Sequence, residues 1–364
     1  MAVFTQIDNS ELWFQVKLYT GSGANQSITL DGSEDMQPDL VWLKTRNNTN
    51  NQVWTDSVRG VEKVILSNAV NAEATYTDCL TAFNSDGFSL GDDDDGQMNV
   101  NTAPHVAWCW KAGTAFSNDA SATSVGNTDS NGSASSTAGF SIAKWVGAGS
   151  STDIEVKHGL SVKPAVMLVK NIEEAGGNHW AVYHHKNTSA PETDYLKLSD
   201  DAATTDDAEI WHDTEPTSAI FTAGDHSGSN RANDDYVGYF WNEVQGFSKF
   251  GSYTGNGNAD GVFVYLGFKP ALIIIKRTNS SSAWWVLKDN KRSHQNGENV
   301  NKYIIYPNDS SAEGTDSNHM DLLSNGFKYR DSASAGNSSG NPFIYMAWAE
   351  APFVNSKGVP CNAK

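Results

Sequence analysis

Several residue groups in this 364-residue chain are of types that could do chemistry. "GFSLG" from Gly87 fits the GxSxG spacing of a serine nucleophile, a role that needs a strained strand-to-helix turn, but the phrase sits in a repeated strand whose third copy, "GFKYR", has no serine, so no nucleophile is expected. "GDDDDGQMNVNT" from Gly91 concentrates the carboxylate oxygens a hard cation prefers, with Asp92 to Asp95 as the would-be calcium ligands. Counting Gly96 as loop position six leaves Thr102 where an EF-hand needs a bidentate Glu, so a solvated acidic turn is expected there. His179, His184 and His185 cluster in "NHWAVYHH", but adjacent strand residues point to opposite faces, which favours surface histidines over a metal site. Glu243 and Glu350 follow two similar strands, while the third such strand has Ala112 at that place, so no glycosidase-like acid pair is expected. Four tryptophans, Trp13, Trp145, Trp211 and Trp284, have no fully matched counterpart elsewhere in the chain. Flat rings flanked by Asn and Asp are what a carbohydrate-binding face uses, which makes these four the candidate sugar contacts, with ordinary core or interface burial as the favoured alternative.

The elements that must carry these residues repeat. "MQPDLVWLKTR" from Met36, "SVKPAVMLVKN" from Ser161 and "GFKPALIIIKR" from Gly267 set Pro38, Pro164 and Pro270 in register. Lys44, Lys170 and Lys276 follow the prolines by six residues, and Trp54, Trp180 and Trp285 follow by fifteen or sixteen. Ahead of each proline runs an aromatic-rich strand into a glycine turn: "FQVKLYTGSG" from Phe14, "FSIAKWVGAG" from Phe140 and "FSKFGSYTGNG" from Phe247. Far behind come "HVAWCWKA" from His105, "YVGYFWNE" from Tyr236 and "FIYMAWAE" from Phe343, which place Trp110, Trp241 and Trp348 at 72, 77 and 78 residues past the prolines. The phrases "SDGFSLG" at Ser85 and "SNGFKYR" at Ser324 match, with "SAIFTAG" at Ser218 as a degraded middle copy.

Short strand candidates separated by Gly, Asn and Asp turns, without a 3.6-residue period, predict an all-β chain of three tandem, related antiparallel β-sandwich domains of jelly-roll, concanavalin- or lectin-like type. The expected division is an N-terminal arm at 1–13, sandwiches at 14–112, 139–245 and 246–353, a polar connection at 113–138 and a tail at 354–364. Composition alone reads the 113–138 connection as a flexible linker, with strand pairing of this connection as the alternative that would tie down the first unit. The proline strands, apolar on both faces, should be central, and the nine matched prolines and tryptophans should fill the core of each unit separately. In "HVAWCWKA", Val106, Trp108 and Trp110 share one face, and Ala107 and Cys109 the other.

The charge balance of 25 − 43 = −18 argues against nucleic acid and anionic membrane as partners. No apolar run approaches the roughly 20 residues of a membrane-spanning helix, and no signal segment is evident. Three cysteines without metal-ligand spacing imply neither a disulfide framework nor a structural zinc, and no cofactor is indicated.

The phrases "QPDLVWLKTR", "VWTDSVRG" from Val53, "FNSDGFSLG" from Phe83, "VAWCWKAG" from Val106, "GFSKFGSYTGNGNADG" from Gly246 and "LLSNGFKYR" from Leu322 resemble a repeat-bearing domain common in structural proteins of marine bacteriophages. The likeness runs from about Phe14 to Phe353 and brings no catalytic motif. It implies a virion location after synthesis in host cytoplasm, other phage capsid or tail proteins as partners in a multi-copy assembly, and a structural or attachment role. The chain carries no heptads or shaft repeats of a fibre, which favours an exposed capsid decoration protein over a tail fibre or an adhesin contacting host surface glycans. A polysaccharide-degrading enzyme ranks last.

Overall fold

The proline strands are buried on both faces, the first two throughout and the third over Pro270–Lys276, and this sets the architecture of the computed structural model, which describes residues 5–149, 153–174, 176–292, 300–315 and 319–361. The first four residues of the expected arm and the last three of the expected tail lie outside the described residues. The fold is all-β, with several antiparallel sheets forming sandwich-like units.

Three main sheets share one strand order: first strand, last strand, proline strand, following strand. In the first unit these are Phe14–Thr20, Pro104–Trp110, Leu40–Thr45 and Val53–Asp56. In the second they are Phe140–Val146, Asp235–Trp241, Val166–Asn171 and Ala181–His184. In the third they are Ser248–Thr254, Pro342–Pro352, Phe268–Arg277 and Val286–Asp289. Register matches as well as order: Trp110 lies between Phe14 and Leu40, Trp241 between Phe140 and Val166, and Trp348 between Ser248 and Leu272. Leu40, Val166 and Leu272 each stand two residues after their proline, so the three prolines occupy equivalent places. Pro38 and Pro164 precede their strands, where a missing N–H interrupts no ladder; Pro270 sits inside its longer strand at a β-bulge, the other position a sheet tolerates.

A smaller sheet covers one face of each main sheet: Gln26–Thr29, Gly87–Leu90 and Leu80–Asn84 in the first unit, Ile154–Lys157 with Ile220–Ala223 in the second, and Phe263–Tyr265, Gly326–Tyr329, Met320–Leu323 and Val300–Asn301 in the third. Ala107 and Cys109 face this interior with Val41, Leu43, Ile28 and Phe88, as strand alternation requires. Val106, Trp108 and Trp110 face the other way.

That other face corrects the expectation of three separate tryptophan-filled cores. Trp42, Trp54, Trp108, Trp110, Trp180, Trp241, Trp285 and Trp348 all belong to one apolar cluster that spans the three units. The sandwich interiors of the first two units form separate clusters without any of these eight rings. A unit alone would therefore expose its tryptophan-bearing face to water.

The polar connection also departs from its composition. Thr114–Asn118 and Ser130–Ser135 are strands that pair with each other and extend the second main sheet through Phe140–Val146; with Asp194–Lys197 and Thr205–Asp206 at the far edge the sheet has eight strands. Small residues are what this packing demands: a Cβ on Gly132 would meet Ile142 O at 1.9 Å and the Phe116 ring at 2.8 Å.

Candidate functional site: the junction of three units

Where the three last strands converge, Trp110, Trp241 and Trp348 form a closed triangle. Their ring centroids lie 6.2, 5.3 and 5.8 Å apart, and all three pairs are edge-to-face at 66°, 75° and 70°. This is the preferred aromatic geometry, and closing it three ways leaves a void of only about 10 Å³ among the surrounding side chains. A space that small is at the lower limit for one water, so the junction is dry.

Polar contacts across the units run in a cycle. The carbonyl eight residues past each proline accepts a backbone N–H from the neighbouring unit: Arg46 O from Glu313, Ile172 O from Glu73 and Thr278 O from Thr204, at 2.7, 2.9 and 2.8 Å. The matched lysines follow the same order. Lys44 Nζ donates to Ser310 O, Lys170 Nζ to Val70 O and Lys276 Nζ to Asp201 O, at 2.9, 3.3 and 2.9 Å, while each also binds carbonyls of its own unit. Burial lowers each of the three to about 8.

A second cycle runs in the opposite sense. Asp56, His184 and Asp289 occupy equivalent sites, opposite Leu40, Val166 and Leu272. Asp56 accepts from Tyr239 OH at 2.7 Å, His184 Nε2 donates to Tyr345 O at 3.1 Å, and Asp289 accepts from Trp108 Nε1 at 3.0 Å. Both aspartates also hold a fully buried arginine three residues on, Arg59 and Arg292. Burial opposes charge on both guanidiniums, yet the carboxylates of Asp56 with Glu73, and Asp289 with Glu313, raise them above their ordinary value.

One matched tryptophan is displaced from its sequence partners. Trp180 and Trp285 stand one residue before their strands and donate Nε1 to Leu66 O and Lys197 O of the neighbouring unit, at 2.8 and 2.9 Å. Trp54 lies inside its strand, and Gln52 takes the equivalent place, donating to Tyr306 O and Asp309 O. Equal spacing from the proline conceals this shift because the intervening turns differ in length.

The proposed sugar contacts are dispersed, and two are inaccessible. Trp145 is 3% exposed and stacked on Tyr236, and Trp211 is fully buried with Nε1 on Asp194 O. Neither can offer a ring face to a sugar. Trp13 is half-buried against the junction cluster beneath Lys111, and Trp284 is partly exposed with its ring edge-on to Tyr306.

The remaining motifs are taken up by the fold. Ser89 of "GFSLG" lies on a strand beside Ser27 Oγ. Asp93 is buried and accepts from the Gln97, Met98 and Asn99 backbone, so the acidic turn is organised around one inward carboxylate, contrary to a wholly solvated turn. His184 is buried, which overturns its expected surface position; burial lowers it to about 3. Glu350 binds Lys269 and Asn290, and Glu243 accepts from Phe250 N. Among the described residues no group of three or more His, Cys, Asp or Glu is placed to hold a metal ion, and no helix is long and apolar enough to cross a membrane.

A cleft lies beside the turn that joins the second and third units. It has a volume of about 490 Å³ and is lined by Gln6, Glu243, Ser248, Lys249, Tyr265 and Phe353, among others.

Residues 9–352 match a family model described as a domain of unknown function, DUF7483. No curated protein and no solved structure matches the chain.

Proposed function

We propose, for a chain that belongs to the DUF7483 family, a non-enzymatic structural role on a bacteriophage virion, as an exposed capsid decoration or appendage protein. The observation that carries this reading is the cyclic junction. Its tryptophan rings, lysines and aspartates join units to one another, and the lysine ammoniums and aspartate carboxylates are engaged in those contacts. In this reading the units are jelly-roll, lectin-like sandwiches, and one chain presents three similar faces about an axis. Closed heterologous contacts of this kind are how identical subunits build a trimer, so a single chain meets the geometry of a threefold-related platform on a shell. The chain's net charge of −18 keeps particles from associating. The phage assignment rests on the sequence phrases from "QPDLVWLKTR" to "LLSNGFKYR".

Labelling intact particles with an antibody to this chain, followed by electron microscopy, tests the proposal. Label spread over the shell is expected. Label confined to the tail replaces decoration by a tail-fibre or adhesin role, and particles devoid of the chain remove the virion reading.

A further inference from the structure

The outer edge strand of each sandwich can be compared across the three units, and the third differs in a way its core does not require. Ile28, Val156 and Val264 are equivalent inward residues, paired with Phe88, Phe221 and Phe327. The outward residues beside them are Ser27 and Thr29 in the first unit and Glu155 and Lys157 in the second. In the third they are Phe263 and Tyr265, 44% and 52% exposed. Polar residues suit these positions in the other two units, so packing is not the reason for two rings here.

Tyr265 forms one wall of the cleft described above. Lys249 fixes it: Nζ donates to Tyr265 O at 2.8 Å and lies 5.5 Å from the ring centroid. Phe353 adds a second, half-buried ring, and Gln6, on the N-terminal arm and bonded through its backbone N–H to Gln245 O, is exposed and adds an amide. Glu243 completes the polar lining; its Oε1 accepts from Phe250 N at 2.9 Å, and its side chain is 42% exposed. A single carboxylate and a single ammonium cancel, so the cleft offers no net charge to recruit an ionic ligand. What it offers is a flat aromatic wall beside amide and carboxylate groups. That combination suits a pyranose, which has an apolar C–H face and a rim of hydroxyls. A volume of about 490 Å³ is within the usual range for small-molecule sites and accommodates one or two sugar rings.

We propose that this cleft binds an uncharged saccharide, with Tyr265 as the stacking platform and Gln6 and Glu243 as hydroxyl partners. The site is separate from the four tryptophans singled out by sequence, and it holds whether or not the chain is carried on a particle.

Saturation-transfer NMR on the purified full chain, with glucose, galactose, mannose, N-acetylglucosamine and their common disaccharides as probes, reads binding directly. Glucuronate and glucosamine serve as charged comparators. At least one neutral sugar is expected to bind, Tyr265→Ala to weaken it about tenfold or more, and Tyr265→Phe to retain most of it. Gln6→Ala, at an exposed residue, gives a second arm, with a several-fold weakening expected. Near-UV circular dichroism checks that each variant keeps its fold. Silence from every neutral sugar, a preference for the charged comparators, or affinity undiminished in both Tyr265→Ala and Gln6→Ala overturns the proposal. None of these results bears on particle labelling, so the two readings fail separately.

Discussion

Lys170 shows how a single buried charge tunes this protein. Its Nζ is held by Val70 O and Asn178 O, and burial depresses its folded pKa to about 8, below the unfolded value near 10.5. The folded chain therefore gives up this proton first, and stability rises with pH between about 8 and 10.5, by on the order of 2 kcal/mol for each such lysine. Lys44 and Lys276 add in the same sense. Urea midpoints measured at pH 7.5 and 9.5 should increase with pH, and Lys170→Met should flatten that increase. Below neutrality the histidines act. His105 and His158 are lowered to about 4 and His184 to about 3, each chiefly by burial, so the unfolded chain takes up protons near pH 6.5 while the folded chain resists. Stability should fall as pH drops from about 6.5 to 4, and His184→Gln, which retains a donor for Tyr345 O, should lessen the fall. Asp289→Ala should cost about 3–5 kcal/mol by equilibrium unfolding, because it strips buried Arg292 of its nearest carboxylate and leaves Trp108 Nε1 without its acceptor. Much of this scale was legible only as type and spacing. The six-residue interval from proline to lysine was plain, but that it puts an ammonium on a neighbour's carbonyl was not.

Among the elements, turn chemistry accounts for the difference between complete and degraded copies. Ser85-Asp86 and Ser324-Asn325 form two-residue loops, each followed by a glycine that opens the next strand, between Leu80–Asn84 and Gly87–Leu90, and between Met320–Leu323 and Gly326–Tyr329. The middle copy has Ile220 at the glycine position, and its small sheet keeps only two strands. Gly87 has φ +113°, and a Cβ there would meet Ile28 O at 2.0 Å. Gly87→Ala should therefore destabilise by about 1–3 kcal/mol, seen as a lower thermal midpoint. The main sheets were readable because apolar alternation and the proline markers survive in all three copies. For the 113–138 connection, pairing stood only as an alternative and the 114–118 and 130–135 strands could not be located, since small polar residues signal a linker unless a neighbouring edge strand is there to pair with them. Trp54 was mismatched for a related reason: spacing counts residues, whereas strand register counts partners.

At the scale of the whole molecule, three units close into a ring through one dry aromatic junction, and their stabilities should be inseparable. Trp348→Ala should cost about 3–5 kcal/mol and lower a single cooperative transition of the chain, instead of splitting off one unit's melting. Trp110→Phe and Trp241→Phe, combined, should depart from additivity by about 0.5–3 kcal/mol in urea titrations, because the two rings touch across units. Separate transitions for each unit, with additive variants, would count against the ring as the basis of stability. The same closure separates the two functional proposals physically: the junction is sealed, while the saccharide cleft lies at the solvent-facing seam of the second and third units.

By itself the sequence determined the strand content, the threefold repetition and the two-sided facing of the last strands. These depend on local sterics and period-two alternation, which neighbouring residues carry. Tertiary structure alone decided that Trp110, Trp241 and Trp348 meet one another, that Lys44, Lys170 and Lys276 reach into other units, and that Tyr265 borders a cleft with Gln6. Alternation can say that a ring leaves its own sandwich, but only the packing of one sheet face on another determines what that ring will touch.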